Sequence, residues 1–161
     1  MTETKKEETI NAELLAQFPF LDGQVKIQRA RRLWLETPAD QFDAVFERLV
    51  DGFGFRILCA ITGLDEGENF AFIYHLAKED GTVASLKTKI LKTNAKWKSV
   101  GAKFPGGIIY EREIADLLGV QFEGLPAGPR YPLPDGWPEG QYPLRKDWQD
   151  TSVLPKEGGS P

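Results

Sequence analysis

Histidine and cysteine, the side chains that carry much of enzyme chemistry, occur once each in this chain of 161 residues. Any acid–base or nucleophilic mechanism that needs an imidazole must therefore use His75. His75 lies in the middle of an apolar run, which favours a structural histidine held by hydrogen bonds. Cys59 stands between Leu58 and Ala60, and this setting predicts a buried, unreactive thiol. A stand-alone enzyme built on His75 stays open as one hypothesis.

Three carboxylates, Glu111, Glu113 and Asp116, lie close enough in the sequence to suggest a metal or acid–base cluster. Residues two positions apart do not share a helix face, so Glu111 and Glu113 would point in different directions. We therefore interpret the carboxylates as charges of a solvated or interface surface. One histidine and one cysteine cannot build an ordinary zinc or iron–sulfur site. We expect no catalytic residue, no metal and no cofactor.

A basic stretch without acidic residues runs from position 87 to position 103. Its lysines are Lys87, Lys89, Lys92, Lys96, Lys98 and Lys103. Such a stretch suggests contacts with nucleic-acid phosphates, which would weaken steeply as salt is added. The net charge of −4 and the lack of interleaved arginines favour instead a solvated surface, or a patch that faces an acidic partner. A nucleic-acid-binding module stays open as another hypothesis.

The composition indicates one domain with one core, because hydrophobic residues make up 41% of the chain. Helical spacing of apolar residues within Ile10–Phe20 predicts a short helix that ends near Pro19. A second helix is predicted up to Asp51, with Thr37 as N-cap and Pro38 at the first helical position. No apolar run approaches the roughly 18 residues that span a bilayer, so membrane association is expected to go through a partner.

Apolar and alternating runs predict a small sheet. The runs are Val25–Leu35, Phe53–Ile61, Phe70–Ala77 and Thr82–Ile90. We interpret the last three as an antiparallel meander in which Phe53–Ile61 is a central strand, and Val25–Leu35 as an edge strand. With helices packed on one face of this antiparallel or mixed sheet, the predicted fold class is α+β.

The segment Ile108–Leu118 carries an apolar stripe and predicts a helix that ends at Gly119. Within this helix, Arg112 and Asp116 are spaced as an i,i+4 ion pair. The following segment, Gly124–Leu144, combines many prolines and glycines with aromatic side chains. Prolines restrict the free chain and aromatic rings supply contact area, so we predict an irregular but ordered arm along another protein's surface.

These patterns divide the chain into four parts. Residues 1–9 are predicted to be a flexible tail, residues 10–120 the α+β domain, residues 121–150 an extended interaction arm rich in proline and aromatic residues, and residues 151–161 a second flexible tail. The tails are expected because Met1–Glu8 and Lys156–Pro161 lack the apolar surface that offsets the entropy of ordering.

Four short motifs follow one another along the chain: Tyr-His-Leu at 74–76, Glu-Arg-Glu-x2-Asp-x2-Gly at 111–119, Phe-Glu-Gly at 122–124 and Pro-Leu-Arg-Lys-Asp at 143–147. Together they resemble the thirty-kilodalton-type family, the C subunits, of NADH:quinone oxidoreductase (respiratory complex I), which includes the related subunit of energy-converting nickel–iron hydrogenases. The motif residues that could form a site are Tyr74, His75, Glu111, Arg112, Glu113, Asp116, Gly119, Phe122, Glu123, Gly124, Pro143, Leu144, Arg145, Lys146 and Asp147.

The resemblance implies a subunit without cofactor or independent catalytic activity, in the hydrophilic arm of the complex. Such a subunit docks on the large, hydrogenase-like subunit that frames the quinone site, beside iron–sulfur subunits, and supports electron transfer from NADH to quinone. It would lie at the cytoplasmic face of the cell membrane through its partners, and the motif residues would be interface and arm-anchoring groups. The turn at Thr62–Asp65 is similar to that of the hydrogenase subunit, so an energy-converting hydrogenase is the alternative complex.

Overall fold

A computed structural model describes residues 4–149 of the chain. The main sheet has five strands in the order β1-β2-β5-β4-β3. They are β1 (Val25–Arg29), β2 (Arg32–Glu36), β3 (Ile57–Asp65), β4 (Asn69–Ala77) and β5 (Val83–Leu91). Strands β2 and β5 run parallel, whereas the other neighbouring pairs are antiparallel. The predicted α+β class with a mixed sheet is confirmed.

The predicted meander of three strands is present, but its position in the sheet differs from the prediction. β5 pairs with β4 on one side and with β2 on the other, so β4 and β5 occupy the middle of the sheet. β3 therefore lies at the edge, and the interpretation of Phe53–Ile61 as a central strand is wrong. The strand also begins later, at Ile57, whose side chain is 47% exposed.

The segment Val25–Leu35 forms a hairpin of two strands instead of one strand. Arg31 has a φ of 60°, in the left-handed region, and this conformation reverses the chain between β1 and β2. β1 takes the edge position that the sequence indicates, while β2 is held between β1 and β5.

One face of the sheet carries the core. Because side chains alternate along a strand, four residues of β4 share this face and are fully buried. They are Phe70, Phe72, Tyr74 and Leu76. Helices α1 (Lys5–Gln17) and α2 (Phe42–Glu47) add Leu14 and Phe46 to the same buried cluster.

Helix α1 begins at Lys5, although the sequence predicts a flexible tail up to Thr9. Glu7 is 1% exposed, and its carboxylate accepts a hydrogen bond of 2.7 Å from the backbone N–H of Arg31. This contact spans 24 positions and is therefore invisible to local patterns. Residues 1–3 of that tail, and the tail predicted at 151–161, lie outside the described residues.

The second helix starts later than predicted, because Thr37 and Pro38 remain extended. The N–H of Thr37 donates to the carbonyl of Lys87 at 2.9 Å, which continues the pairing of β2 with β5. Pro38 has a ψ of 152°, so it precedes the helix instead of opening it, and the hydroxyl of Thr37 donates to the carbonyl of Pro38. A 3-10 turn at Ala39–Gln41 leads into α2, which continues as a π-helical turn at Arg48–Gly52.

Helix α3 spans Ile108–Leu118, as predicted, and packs along β3. Gly63 of β3 permits this close approach, since a Cβ there would lie 2.8 Å from Cγ1 of Ile114. A second, two-stranded parallel sheet pairs β6 (Lys96–Lys98) with β7 (Gln121–Glu123), and the sequence did not predict it. No helix among residues 4–149 has both the length and the apolar character needed to cross a membrane.

Candidate interaction site

The residues of the Glu-Arg-Glu motif on α3 have separate roles within the fold. Glu111 is fully buried, and its carboxylate accepts hydrogen bonds from the hydroxyl of Ser99 and, at 2.7 Å, from the N–H of Val100. Burial raises the pKa of Glu111, and the two hydrogen bonds partly offset that increase. The interpretation of this carboxylate as a solvated or interface charge is wrong, because Glu111 ties α3 to the segment after β6.

The predicted ion pair between Arg112 and Asp116 does not form. Asp116 is 8% exposed and accepts hydrogen bonds from Arg130 Nε at 2.7 Å and from the N–H of Leu133 at 2.9 Å. The guanidinium of Arg112 instead donates to the carbonyls of Pro126 and Ala127, each at 3.2 Å. Both α3 charges therefore hold the segment after β7, and the local i,i+4 spacing is overridden by these partners.

The Pro-Leu-Arg-Lys-Asp motif contacts a buried carboxylate that lies far from it in the sequence. Asp65, at the end of β3, accepts hydrogen bonds from the N–H of Lys146 at 2.9 Å, the N–H of Gly67 at 2.8 Å and Nζ of Lys92 at 2.7 Å. Lys92 also pairs with Asp147 at 2.7 Å. Burial alone would raise the pKa of Asp65, but these hydrogen bonds outweigh burial and lower it to about 2.

Arg145 fixes the same motif to the end of α3. Its Nε donates to the carbonyl of Leu118 at 2.7 Å, and its guanidinium stacks 4.5 Å from the ring centroid of Tyr142. The N–H of Leu144 donates to the carbonyl of Leu117 at 3.1 Å. The described part of the arm is thus anchored on its own domain, a point that the sequence leaves open. That the arm also lies along another protein stays a prediction.

Gly119 is the point where the arm passes closest to α3. Its φ is 74°, and a Cβ would lie 2.5 Å from Tyr142 Cε2 and 2.6 Å from Arg145 Nη2. We expect Gly119→Ala to reduce the free energy of unfolding by about 1–3 kcal/mol, through backbone strain and displacement of these side chains. Urea denaturation measures this loss.

Gly136→Ala is the control for Gly119→Ala. Gly136 also lies in a loop, but a Cβ there meets no atom within 4 Å. Equal free energies of unfolding for the two variants would show that the close approach at Gly119 carries no stability.

Tyr74 and His75 point to opposite faces of β4. Tyr74 is fully buried, its hydroxyl accepts a hydrogen bond of 2.9 Å from Trp97 Nε1, and burial raises its pKa. The ring nitrogens of His75 lie 2.9 Å from Ser85 Oγ and 3.3 Å from Thr62 Oγ1, and burial lowers its pKa. These hydroxyl partners agree with a structural histidine held by hydrogen bonds.

The remaining motif residues shape the region around β7. Phe122 is buried and packs 5.9 Å from Phe72, measured between ring centroids. The carbonyl of Glu123 accepts the N–H of Ser99 at 2.8 Å, while Gly124 turns the chain with a φ of 84°. These contacts position β7 beside β6. Pro143 is half-buried and opens the motif that reaches Asp65.

The prediction of a buried thiol at Cys59 is wrong. Cys59 is exposed, because β3 is an edge strand, and it lies at the irregularity in the β3–β4 register.

Five of the six lysines of the basic stretch form ion pairs with carboxylates of this same chain. These carboxylates lie outside the stretch in the sequence. They are Glu36, Asp43, Asp51, Asp65, Glu66 and Asp147. The stretch is therefore largely neutralised.

The sequence-based predictions missed the residues that complete these anchors. Asp65, Ser99 and Arg130 each bond to a motif residue that is distant in the sequence. The motif spacing contains no signal for them, since the partners are 12 to 81 positions apart. Among residues 4–149, no group of three or more His, Cys, Asp or Glu side chains is arranged to hold a metal ion.

The fold and the anchored arm define the class of protein: an α+β module whose motif residues position an irregular C-terminal segment. A family model described as respiratory-chain NADH dehydrogenase, 30 Kd subunit, matches residues 35–152, and the chain belongs to this family. The family resemblance indicated by the four motifs is confirmed.

Curated relatives carry the match over most of the chain. The NADH-quinone oxidoreductase C subunit of Moorella thermoacetica is 35% identical over 78% of this chain and 82% of its own length. The F(420)H(2) dehydrogenase C subunit of Methanosarcina mazei is 29% identical over 88% of this chain and 90% of its own length. The membrane-bound hydrogenase beta subunit of Pyrococcus furiosus is 26% identical over 97% and 94%. The chain is thus a module of the C-subunit type, of complex I or of a related energy-converting complex.

A longer relative contains this module as one part. The NADH-quinone oxidoreductase C/D subunit of Phocaeicola vulgatus is 31% identical over 73% of this chain, which corresponds to 23% of that relative. Among solved structures, a chain of the membrane-bound sulfane sulfur reductase, an archaeal respiratory membrane complex, matches with a TM-score of 0.78 and 30% identity over 91% of this chain and 88% of that chain. A fragment of Nqo5 shares the fold, with a TM-score of 0.55, 24% identity and coverage of 73% and 98%.

Proposed function

We propose that this chain is the non-catalytic C subunit of an NADH:quinone oxidoreductase. It belongs to the hydrophilic arm, at the cytoplasmic face of the membrane, and supports electron transfer from NADH to quinone without contributing a cofactor. The observation that carries the proposal is the 35% identity to an NADH-quinone oxidoreductase C subunit over 82% of that relative. The hydroxyl partners of His75, and the structural use of Glu111 and Asp116, agree with a subunit that performs no chemistry.

The docking partner in this proposal is the large subunit that frames the quinone site. A C/D relative supports it, because in that protein the module occupies 23% of one longer chain. Fusion into one chain keeps two modules at high effective concentration, as expected for parts that act side by side. Neighbouring iron–sulfur proteins complete the environment, and the membrane is reached only through the complex.

An energy-converting hydrogenase is the second candidate complex. Its support is the match to a membrane-bound hydrogenase beta subunit, which extends over 97% of this chain although the identity is only 26%. In that case the module has the same structural role, but the large subunit binds nickel and the electrons pass to protons.

Affinity capture of the tagged chain from its native host tests the proposal. We expect a large subunit with flavin and iron–sulfur proteins and without nickel. Stoichiometric nickel in the captured large subunit would move the assignment to the hydrogenase. Capture of the chain alone, under conditions that keep membrane complexes intact, would contradict the subunit role.

A further inference from the structure

The outer edge of β3 is a long exposed strand edge. β3 has nine residues and pairs only with β4, and two of its apolar side chains, Ile57 and Leu64, are 47% and 38% exposed. The hydroxyl of Tyr110 covers one edge carbonyl, that of Cys59, at 3.0 Å. Within the described part of the chain, no other backbone segment pairs with the outer side of positions 60–64. A hydrophobic edge of this kind is a template for a further strand.

A groove of about 280 Å³ runs beside this edge. It is lined by positions 60–63 of β3 and by residues of α3 that include Tyr110, Ile114 and Leu117. Leu144, which is 55% exposed, also lines the groove. The groove is therefore mostly apolar and continuous with the strand edge.

Glu113 provides the acidic group in this groove. It differs from the other charged residues of its motif, since Glu111, Arg112 and Asp116 are occupied by contacts within the domain. Across residues 4–149, no hydrogen bond or ion pair to the Glu113 carboxylate is formed. An acidic residue left at the side of an apolar groove is complementary to a basic side chain beside an apolar one.

We propose that an extended segment of a partner protein in the complex adds to the outer edge of β3. An apolar side chain of that segment enters the groove between β3 and α3, and a neighbouring lysine or arginine pairs with Glu113. Main-chain hydrogen bonds to positions 60–64 give affinity, and the charge fixes the register. The inference rests on the proposed subunit role and identifies one surface by which the module is held.

Two other occupants have less support. The chain's own residues 150–161 contain Val153, Leu154 and Lys156, but the match to the family model ends at residue 152, whereas the groove lies inside the matched region. Pro155 also lacks the N–H that a paired strand needs. A second copy of this chain would bring another Glu113 near the first in a symmetric edge pairing, which the like charges oppose.

Hydrogen exchange on the full chain tests the proposal, alone and in the complex captured by affinity. We expect those amides of positions 60–64 that point away from β4 to exchange about tenfold more slowly, or slower still, in the complex. Unchanged exchange in a complex that does form would overturn this inference and leave the subunit role intact. Failure to form any complex would overturn both.

A charge reversal supplies the matched comparison. We expect Glu113→Lys to reduce the amount of captured partner by about tenfold, because a repulsive pair replaces an attractive one. Glu47→Lys is the control, since Glu47 is an exposed helix glutamate outside the groove. Equal capture by the two variants, with unfolding midpoints equal to that of the unmodified chain, would contradict the role of Glu113.

Hydrogen exchange of the isolated chain distinguishes the other two possible occupants of the β3 edge from a partner protein. If the outward-pointing amides of positions 60–64 are already protected and removal of residues 150–161 exposes them, the chain's own C-terminal segment occupies the edge and the proposal is wrong. If that protection rises with protein concentration, a second copy occupies the edge and the proposal is equally wrong. Rapid exchange of the outward-pointing amides in the isolated chain, at all concentrations, is the result that the proposal requires, while the amides that pair with β4 stay protected and serve as the internal reference.

Discussion

Replacing Asp65 by alanine is expected to lower the free energy of unfolding by about 3–5 kcal/mol and to release the end of the arm. The substitution leaves the N–H groups of Gly67 and Lys146 without their acceptor and removes one carboxylate from Lys92. These three contacts join the β3–β4 turn, the segment after β5 and the arm. Urea denaturation measures the stability loss, and faster amide exchange at positions 144–148 reports the release of the arm.

Asp22→Ala is the control for Asp65→Ala, since Asp22 is exposed in a turn. A free energy of unfolding for Asp65→Ala that equals that of Asp22→Ala would contradict the anchoring role.

The stabilisation from Asp65 also has a defined dependence on pH. The pKa of its carboxyl falls from 3.8 to about 2 on folding, so the folded state binds this proton less readily than the unfolded state. The contribution of the carboxylate is therefore complete above about pH 4 and is lost as the pH falls towards 2. The difference between the unmodified chain and Asp65→Ala should shrink over that interval. A difference that stays constant from about pH 6 to pH 2 would show that the charge is unimportant.

Glu111→Ala is expected to lower the free energy of unfolding by about 3 kcal/mol, which is the second large effect. The substitution leaves the N–H of Val100 and the hydroxyl of Ser99 without an acceptor in a buried site, and it also creates a cavity. Glu111→Gln retains an acceptor oxygen and the side-chain volume. Thermal unfolding of the two variants at neutral pH separates these contributions.

The matched glutamine variant tests the electrostatics of this site. Because burial raises the pKa of Glu111, ionisation costs the folded state more than the unfolded state, and that cost is present at neutral pH. Protonation removes the cost, so this group favours folding at low pH, opposite to Asp65. Glu111→Gln keeps one of the two acceptor oxygens and removes the buried charge, so we expect it to lose clearly less stability than Glu111→Ala at neutral pH. A loss as large as that of Glu111→Ala would mean that the carboxylate charge itself is required.

Local elements could be predicted where the sequence signals lie within the element itself. Helix α3 has the predicted bounds because its apolar stripe and the left-handed Gly119 are both local signals. The β4–β5 hairpin follows in the same way from alternation around Gly81. The position of β3 could not be predicted, since it depends on the parallel pairing of β2 with β5, which joins Arg32 to the distant Val83.

The sequence identified the residues of the candidate site better than it identified their contacts. The four motifs include Arg145 and Asp116, which do anchor the arm. Their partners could not be found from spacing, because a buried carboxylate such as Asp65 is a polar residue of a turn until the fold brings the arm to it. The motifs identify candidate residues, while long-range contacts determine whether each one holds the domain together or faces outwards.

Complementation of a host that lacks this chain tests most directly whether it is a non-catalytic subunit. NADH-dependent quinone reduction is measured in membranes without the chain, with the chain restored, and with His75→Ala restored. We expect membranes without the chain to be inactive, the chain and His75→Ala to restore equal activity, and the purified chain alone to have none. Loss of activity in a fully assembled His75→Ala complex, or turnover by the chain alone, would contradict the non-catalytic role.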